Sequence, residues 1–165
     1  MLENFTVSIP AFSTDYIVLF SIFAIGSFLA FQGGGTRVAA ATLAFPMALF
    51  VFQQIKDTAI IGSQLELLSE MPYITAATFV ISFLVVYIAL RSITNDYGAL
   101  TGLALQSLML GLALTIMTVA TWYALPFTSD IWQFGEPIAT LFASGFVLWW
   151  MFASFVLVYI AAQRL

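Results

Sequence analysis

The side chains of this sequence best suited to acid–base or metal chemistry are the carboxylates Asp15, Asp57, Glu66, Glu70, Asp130 and Glu136. All fall at the edges of apolar runs or in the polar stretches between them. Histidine and cysteine are absent, so no imidazole or thiol is present to complete a nucleophile–base pair. The same absence removes disulfides, thiol-ligated zinc and the usual haem ligand. No enzyme activity, cofactor or metal is expected on this basis. Asp130 and Glu136 are close enough in sequence to hold a cation weakly, but a solvated loop explains them more simply.

A second set of polar residues lies inside an apolar run: Gln106, Ser107, Thr115, Thr118 and Thr121. They are the candidates for a polar pathway, with Gln106 the strongest buried polar group. The same stretch also has the pattern of a packed helix. Gly98 and Gly102 form a GxxxG pair that allows close approach of a neighbour. At 100° per residue, Ala104, Ser107, Gly111, Thr115 and Thr118 make another small-residue stripe on roughly the opposite face. Interhelical packing is the commoner use of such residues, and a helix with two such faces is expected near the centre of a bundle. Elsewhere Gly33, Gly34, Gly35, Thr36 and Arg37 invite a phosphate-cradle reading, yet the Walker-type lysine and spacing are missing. A tight turn with one arginine is the expected structure.

The elements that must position these residues are set by composition. Of 165 residues, 62% are hydrophobic and 7% charged, against about 25% charged in a soluble domain. A bilayer-crossing helix needs roughly 20 apolar residues, and five apolar stretches occur, at 16–32, 38–53, 72–90, 98–123 and 138–162. Their continuous apolarity predicts helices instead of alternating barrel strands. The expected fold is an all-α integral membrane protein, a single bundle of about five transmembrane helices. The first fourteen residues carry no Lys or Arg, so the first run reads as a permanent span and not as a signal peptide.

Basic residues set the orientation. Arg37, Arg91 and Arg164 fall on one side if five spans are crossed in turn, and that side is expected to be cytoplasmic, with the N-terminus outside. Seven carboxylates then stand outside against Lys56, a balance of −6, while the three arginines face Asp96 inside, +2. The second span is short and holds Pro46, so local bilayer thinning and extension to Ile55 with Lys56 snorkelling are both open. A re-entrant hairpin of the first two runs is a rival, at the cost of placing Arg37 in hydrocarbon. Residues 55–71 read as an interfacial amphipathic helix or as a partly ordered polar loop. Trp122, Tyr123 and Trp132 fit an outer aromatic belt, and Trp149 and Trp150 read as helix–helix or lipid contacts within the fifth span.

Four features resemble the CvpA family, the colicin V production proteins of bacterial inner membranes. Asp15 opens the first span; the glycine turn of residues 33–37 follows it; Gly98-Ala99-Leu100-Thr101-Gly102 opens the fourth; and Leu125-Pro126-Phe127-Thr128-Ser129-Asp130 follows that. They cover about the first 135 residues. The single arginine of the glycine turn and the fifth apolar run depart from the family pattern. The resemblance implies a non-enzymatic inner-membrane protein of bacteriocin production or envelope maintenance.

No expected span holds an ionisable residue in its interior, which counts against an ion-coupled carrier or proton-driven motor acting as one chain. No basic cluster follows a nucleic-acid backbone, so nucleic acid is not an expected partner. The leading expectation is an accessory, scaffold or assembly subunit with the lipid bilayer and other membrane proteins, or further copies of itself, as partners. The alternatives are a passive channel or permease, and a holin-like lesion-forming protein of phage type.

Overall fold

The computed structural model describes residues 14–58, 72–94, 104–143 and 145–163, and every regular element among them is helical. In chain order these are α1 (Thr14–Leu29), a π-helical junction (Ala30–Gly34), α2 (Gly35–Asp57), α3 (Pro72–Thr94), α4 (Ala104–Ala124), α5 (Thr128–Ile131), α6 (Glu136–Leu141) and α7 (Val147–Ala162). Gly98, Gly102, Arg164 and most of the 55–71 segment lie outside the described residues.

Among the described residues, three helical stretches are long and apolar enough to cross a membrane: Thr14–Asp57, Tyr73–Ile93 and Ala104–Ala124. The first has 44 residues, and as a straight rod it would measure about 66 Å, more than twice the hydrocarbon thickness. It does not run straight. Gln32 (φ −70°, ψ 16°) and Gly33 (φ 84°, ψ 10°) leave helical dihedrals, and Gly33 takes its positive φ without the Cβ penalty any other residue would meet. The glycine run therefore reverses the chain as a turn.

Packing fixes the helix directions. Gly26 of α1 faces Gly111 and Leu114 of α4, while Asp15 at the start of α1 reaches Gly135, beyond the end of α4, so these two helices are antiparallel. Val38 and Ala39 of α2 cluster with Leu110 and Ala113, and Phe52 clusters with Met117 and Ala120, which makes α2 parallel to α4. Ring contacts Phe52–Phe79 and Phe45–Phe83 set α3 antiparallel to α2. Met151 packs with the Met117 cluster and Val158 with the Leu110 cluster, so α7 runs opposite to α4. Arg37 and Arg91 thereby lie at one end of the bundle, and Asp15, Lys56 and Asp130 at the other.

The central element is α4, touched by α1, α2 and α7, while α3 packs on α2 at the edge. In a bilayer, apolar side chains gain little by leaving lipid for protein, so van der Waals fit and hydrogen bonds hold such helices together. Small residues at the contacts serve that fit: Ala40, Ala44, Ala48, Ala113 and Ala120 are all fully buried.

Two element boundaries differ from the sequence reading. The second apolar run, expected at 38–53, is helical over 23 residues, Gly35–Asp57, about 35 Å long. Pro46 is accommodated inside it, and Lys56 places its ammonium 5.8 Å from the Phe52 ring centroid. The run at 138–162 is not one helix: α6 ends at Leu141 and α7 begins at Val147, leaving α7 16 residues, or about 24 Å. Gly145, the one glycine in the run, falls inside the break, where the lack of a side chain makes helix less favourable.

Candidate functional site

At the end of the bundle where α1 begins, Asp15 is 7% exposed. Its Oδ2 accepts the backbone N–H of Gly135 at 2.7 Å, and its Oδ1 accepts the indole N–H of Trp132 at 3.3 Å. The position in the first turn of α1 is favourable for a carboxylate, because the helix dipole is positive there. A Cβ on Gly135 would stand 3.0 Å from Oδ2, a tight contact that the carboxylate would have to yield to. Asp15 thus ties the connection between α5 and α6 down onto α1, a charge-assisted arrangement stronger than a neutral pair.

Around that tie the aromatic rings form a continuous series. Trp122 donates its indole N–H to the Trp132 carbonyl at 3.1 Å and meets Phe134 edge-on, with centroids 6.1 Å apart. Phe134 lies 6.0 Å from Tyr123; Tyr123 stacks on Phe142 at 6.0 Å with an 8° interplanar angle; and Phe142 stacks on Trp150 at 5.1 Å. The last contact accompanies the break before α7. Eight residues of unbroken helix would put Phe142 and Trp150 about 12 Å apart along the axis, and the break brings their rings together. Trp150 then donates its indole N–H to the Leu141 carbonyl at 2.6 Å, satisfying a carbonyl that the end of α6 leaves without a helical partner.

Below these rings runs a groove of about 650 Å³ between α1, α4 and the α6–α7 region, with Tyr16, Phe20, Phe23, Ile116, Phe142 and Trp150 among its walls. Its lining surface is apolar throughout. Along α1 it extends from Tyr16 to Phe23 and along α4 from Leu112 to Val119, two turns of each helix. A smaller pocket of about 340 Å³ lies on the outer side, framed by Trp122, Tyr123, Trp132 and Phe134.

No family model, curated protein or solved structure matches the chain.

The polar residues of α4 are distributed differently from a continuous pathway. Gln106, Ser107, Thr115 and Thr121 are buried and Thr118 is half-buried. Thr115 donates its hydroxyl to the Gly111 carbonyl and Thr118 to the Leu114 carbonyl, both at 2.8 Å. Each hydroxyl is thus directed to its own backbone one turn earlier. The Thr121 hydroxyl is buried without a hydrogen-bond partner among the described residues. Gly111 sits at the α1–α4 crossing, where an added Cβ would strike the Ser27 hydroxyl, the Ser27 backbone nitrogen at 2.7 Å and the Phe23 carbonyl at 2.9 Å. Arg37, beside the glycine turn, and Arg91, at the end of α3, are both exposed, as are Asp130 and Glu136.

Sequence reasoning placed Asp15 at a boundary and did not mark it as buried. Its only signal was a carboxylate at the start of an apolar run, which equally fits a solvated helix end. Gly26 and Ser27, the counterparts of Gly111, carried no motif. Trp149 and Trp150 looked alike in sequence, yet Trp149 is exposed while Trp150 is half-buried and bonded to the break.

Proposed function

We propose that this chain is a non-enzymatic, multi-pass membrane protein acting as an assembly, scaffold or accessory subunit, with a transmembrane segment of a partner seated in the groove between α1, α4 and α7. In this reading the chain crosses the bilayer five times, with the Arg37–Arg91 end in the cytoplasm and the Asp15 end outside. Arg37 and Arg91 at a common end support that orientation through the excess of basic residues on cytoplasmic loops.

The observation that carries the proposal is the groove itself. It has the two-turn length over which a helix ridge fits between two others, its surface is wholly apolar, and Phe20 and Ile17 on its rim are exposed. Between helices in lipid, association comes from packing, and a fixed cleft walled by rigid rings offers such packing at low cost in side-chain entropy. The partner is another membrane protein or a second copy of this chain. The resemblance to the CvpA proteins supports an inner-membrane setting and a role through partners.

The test is site-specific photocrosslinking from Phe20 in intact membranes, with Tyr73 on the exposed face of α3 as comparison. A discrete protein adduct from position 20, absent from position 73, is expected, and its mass distinguishes a second copy from a different protein. Crosslinks from position 20 to lipid alone overturn the proposal.

A further inference from the structure

We infer that the outer pocket framed by Trp122, Tyr123, Trp132 and Phe134 binds an organic ammonium cation, such as a quaternary alkylammonium group. This does not rest on the groove or on a protein partner. Four aromatic side chains line one space of about 340 Å³, and exposed Pro126, Ser129 and Gln133 lie at its mouth. The faces of such rings carry negative quadrupole charge and attract a cation, most strongly one that sheds water easily.

The charge around the pocket has the matching sign. Trp132 donates its indole N–H to Asp15, which is almost wholly buried. A buried carboxylate therefore stands at the edge of one of the pocket's rings. Donation to an anion also shifts electron density into the indole, which strengthens its attraction for a cation. Among the described residues at this end, Asp15, Asp57, Asp130 and Glu136 stand against Lys56, and Lys56 is placed over the Phe52 ring.

The ligand class follows from how Asp15 is used. Asp15 is not among the residues that line the pocket, and its oxygens are directed to the Trp132 and Gly135 N–H groups, so the carboxylate supplies charge to the pocket and not a coordinating atom. A metal ion needs several oxygen ligands in its inner shell, whereas an alkylammonium needs a negative field and ring faces. A free ammonium compound and the head group of a choline lipid share that chemistry.

The experiment uses the full chain in a non-ionic detergent, with 5-fluorotryptophan resonances assigned by single Trp→Phe variants. Tetramethylammonium is titrated against sodium at equal ionic strength. Saturable shifts at Trp122 and Trp132 with tetramethylammonium, absent with sodium, are expected, weakened about tenfold by Phe134→Leu, which leaves the Asp15 contacts intact. Asp15→Asn is expected to weaken binding while Gly135 remains tied through the amide oxygen. Transfer to nanodiscs of phosphatidylcholine is expected to reproduce the shifts if lipid head groups occupy the pocket, and phosphatidylglycerol nanodiscs with added choline if the ligand is free. No saturable shift in any of these, equal shifts with sodium, or unchanged affinity in Phe134→Leu overturns the inference.

Discussion

Asp15 and Gly135, 120 residues apart in the chain, are joined by a 2.7 Å hydrogen bond from a backbone N–H to a carboxylate that is almost wholly buried. The link closes the end of the bundle at which α1 begins. Trp132, three residues earlier, supplies the second donor, and α6 begins immediately after Gly135.

Removing the carboxylate should release the connection. Asp15→Leu leaves the Gly135 N–H and the Trp132 indole without their acceptor; both donors sit on exposed residues that water can reach, so a loss of about 1 kcal/mol is expected. Asp15→Asn keeps one oxygen for Gly135 and should cost less than half as much. Hydrogen exchange at the Gly135 amide reads the effect directly: fast exchange in the leucine variant and near-native protection in the asparagine variant are expected. Native protection in both would mean that the link holds nothing.

The α1–α4 crossing makes a sharper demand on residue size. Gly111→Ala sets a methyl group against backbone atoms of α1, at 2.7 Å from the Ser27 nitrogen and 2.9 Å from the Phe23 carbonyl, so the helices must separate. A destabilisation of about 1–3 kcal/mol is expected from such overpacking. Gly26→Ala meets the flexible Leu114 Cδ2 at 3.0 Å and the Gly111 α-carbon at 3.2 Å, and should be milder. Thermal unfolding in detergent should rank Gly111→Ala below Gly26→Ala and both below wild type. Adding Ser27→Gly to Gly111→Ala should recover only part of the loss, because the backbone conflicts remain.

Thr115 separates packing from passage. Its hydroxyl is bonded to the Gly111 carbonyl within α4, so Thr115→Val keeps the shape and removes a local bond. A stability change within about 0.5 kcal/mol is expected, since the alternative partner in lipid is also the helix backbone. Liposome flux of ions and small solutes should be the same for wild type and variant. A wild-type flux that disappears in Thr115→Val would instead assign the threonine to a pathway.

Much of the bundle is legible in the sequence because bilayer physics leaves few choices. Long runs without charge must be helical, and Gly33 to Gly35 must turn. Gly111 is visible as a small residue on a helical stripe. Its partner is not, because Gly26 and Ser27 are ordinary residues of an apolar run whose role comes from where α1 crosses α4. Asp15 shows the same limit: a carboxylate at the start of a run has one appearance in sequence, whether water or an indole receives it. The break before α7 had one mark in the sequence, Gly145, which a strongly apolar setting masks. Hydrophobic runs report burial in lipid and not continuity of helix, and the stacking of Phe142 on Trp150 that accompanies the break is a contact between residues eight apart.

That break supplies the last prediction. Trp150 contributes two separable things, an indole N–H to the Leu141 carbonyl and a ring face to Phe142. Trp150→Phe retains the ring and loses the donor, leaving a terminal carbonyl of α6 unsatisfied beside lipid, at a cost of about 1 kcal/mol. Trp150→Leu loses both, and the aromatic pair is worth about 0.5–1.5 kcal/mol beyond its area, so it should be the less stable of the two. The distinguishing readout is amide exchange at residues 142–146. If ring stacking holds the break open, Trp150→Leu lets this stretch join a continuous helix and exchange slows there, while Trp150→Phe leaves it native. Equal exchange in both variants would place the cause of the break in the local backbone.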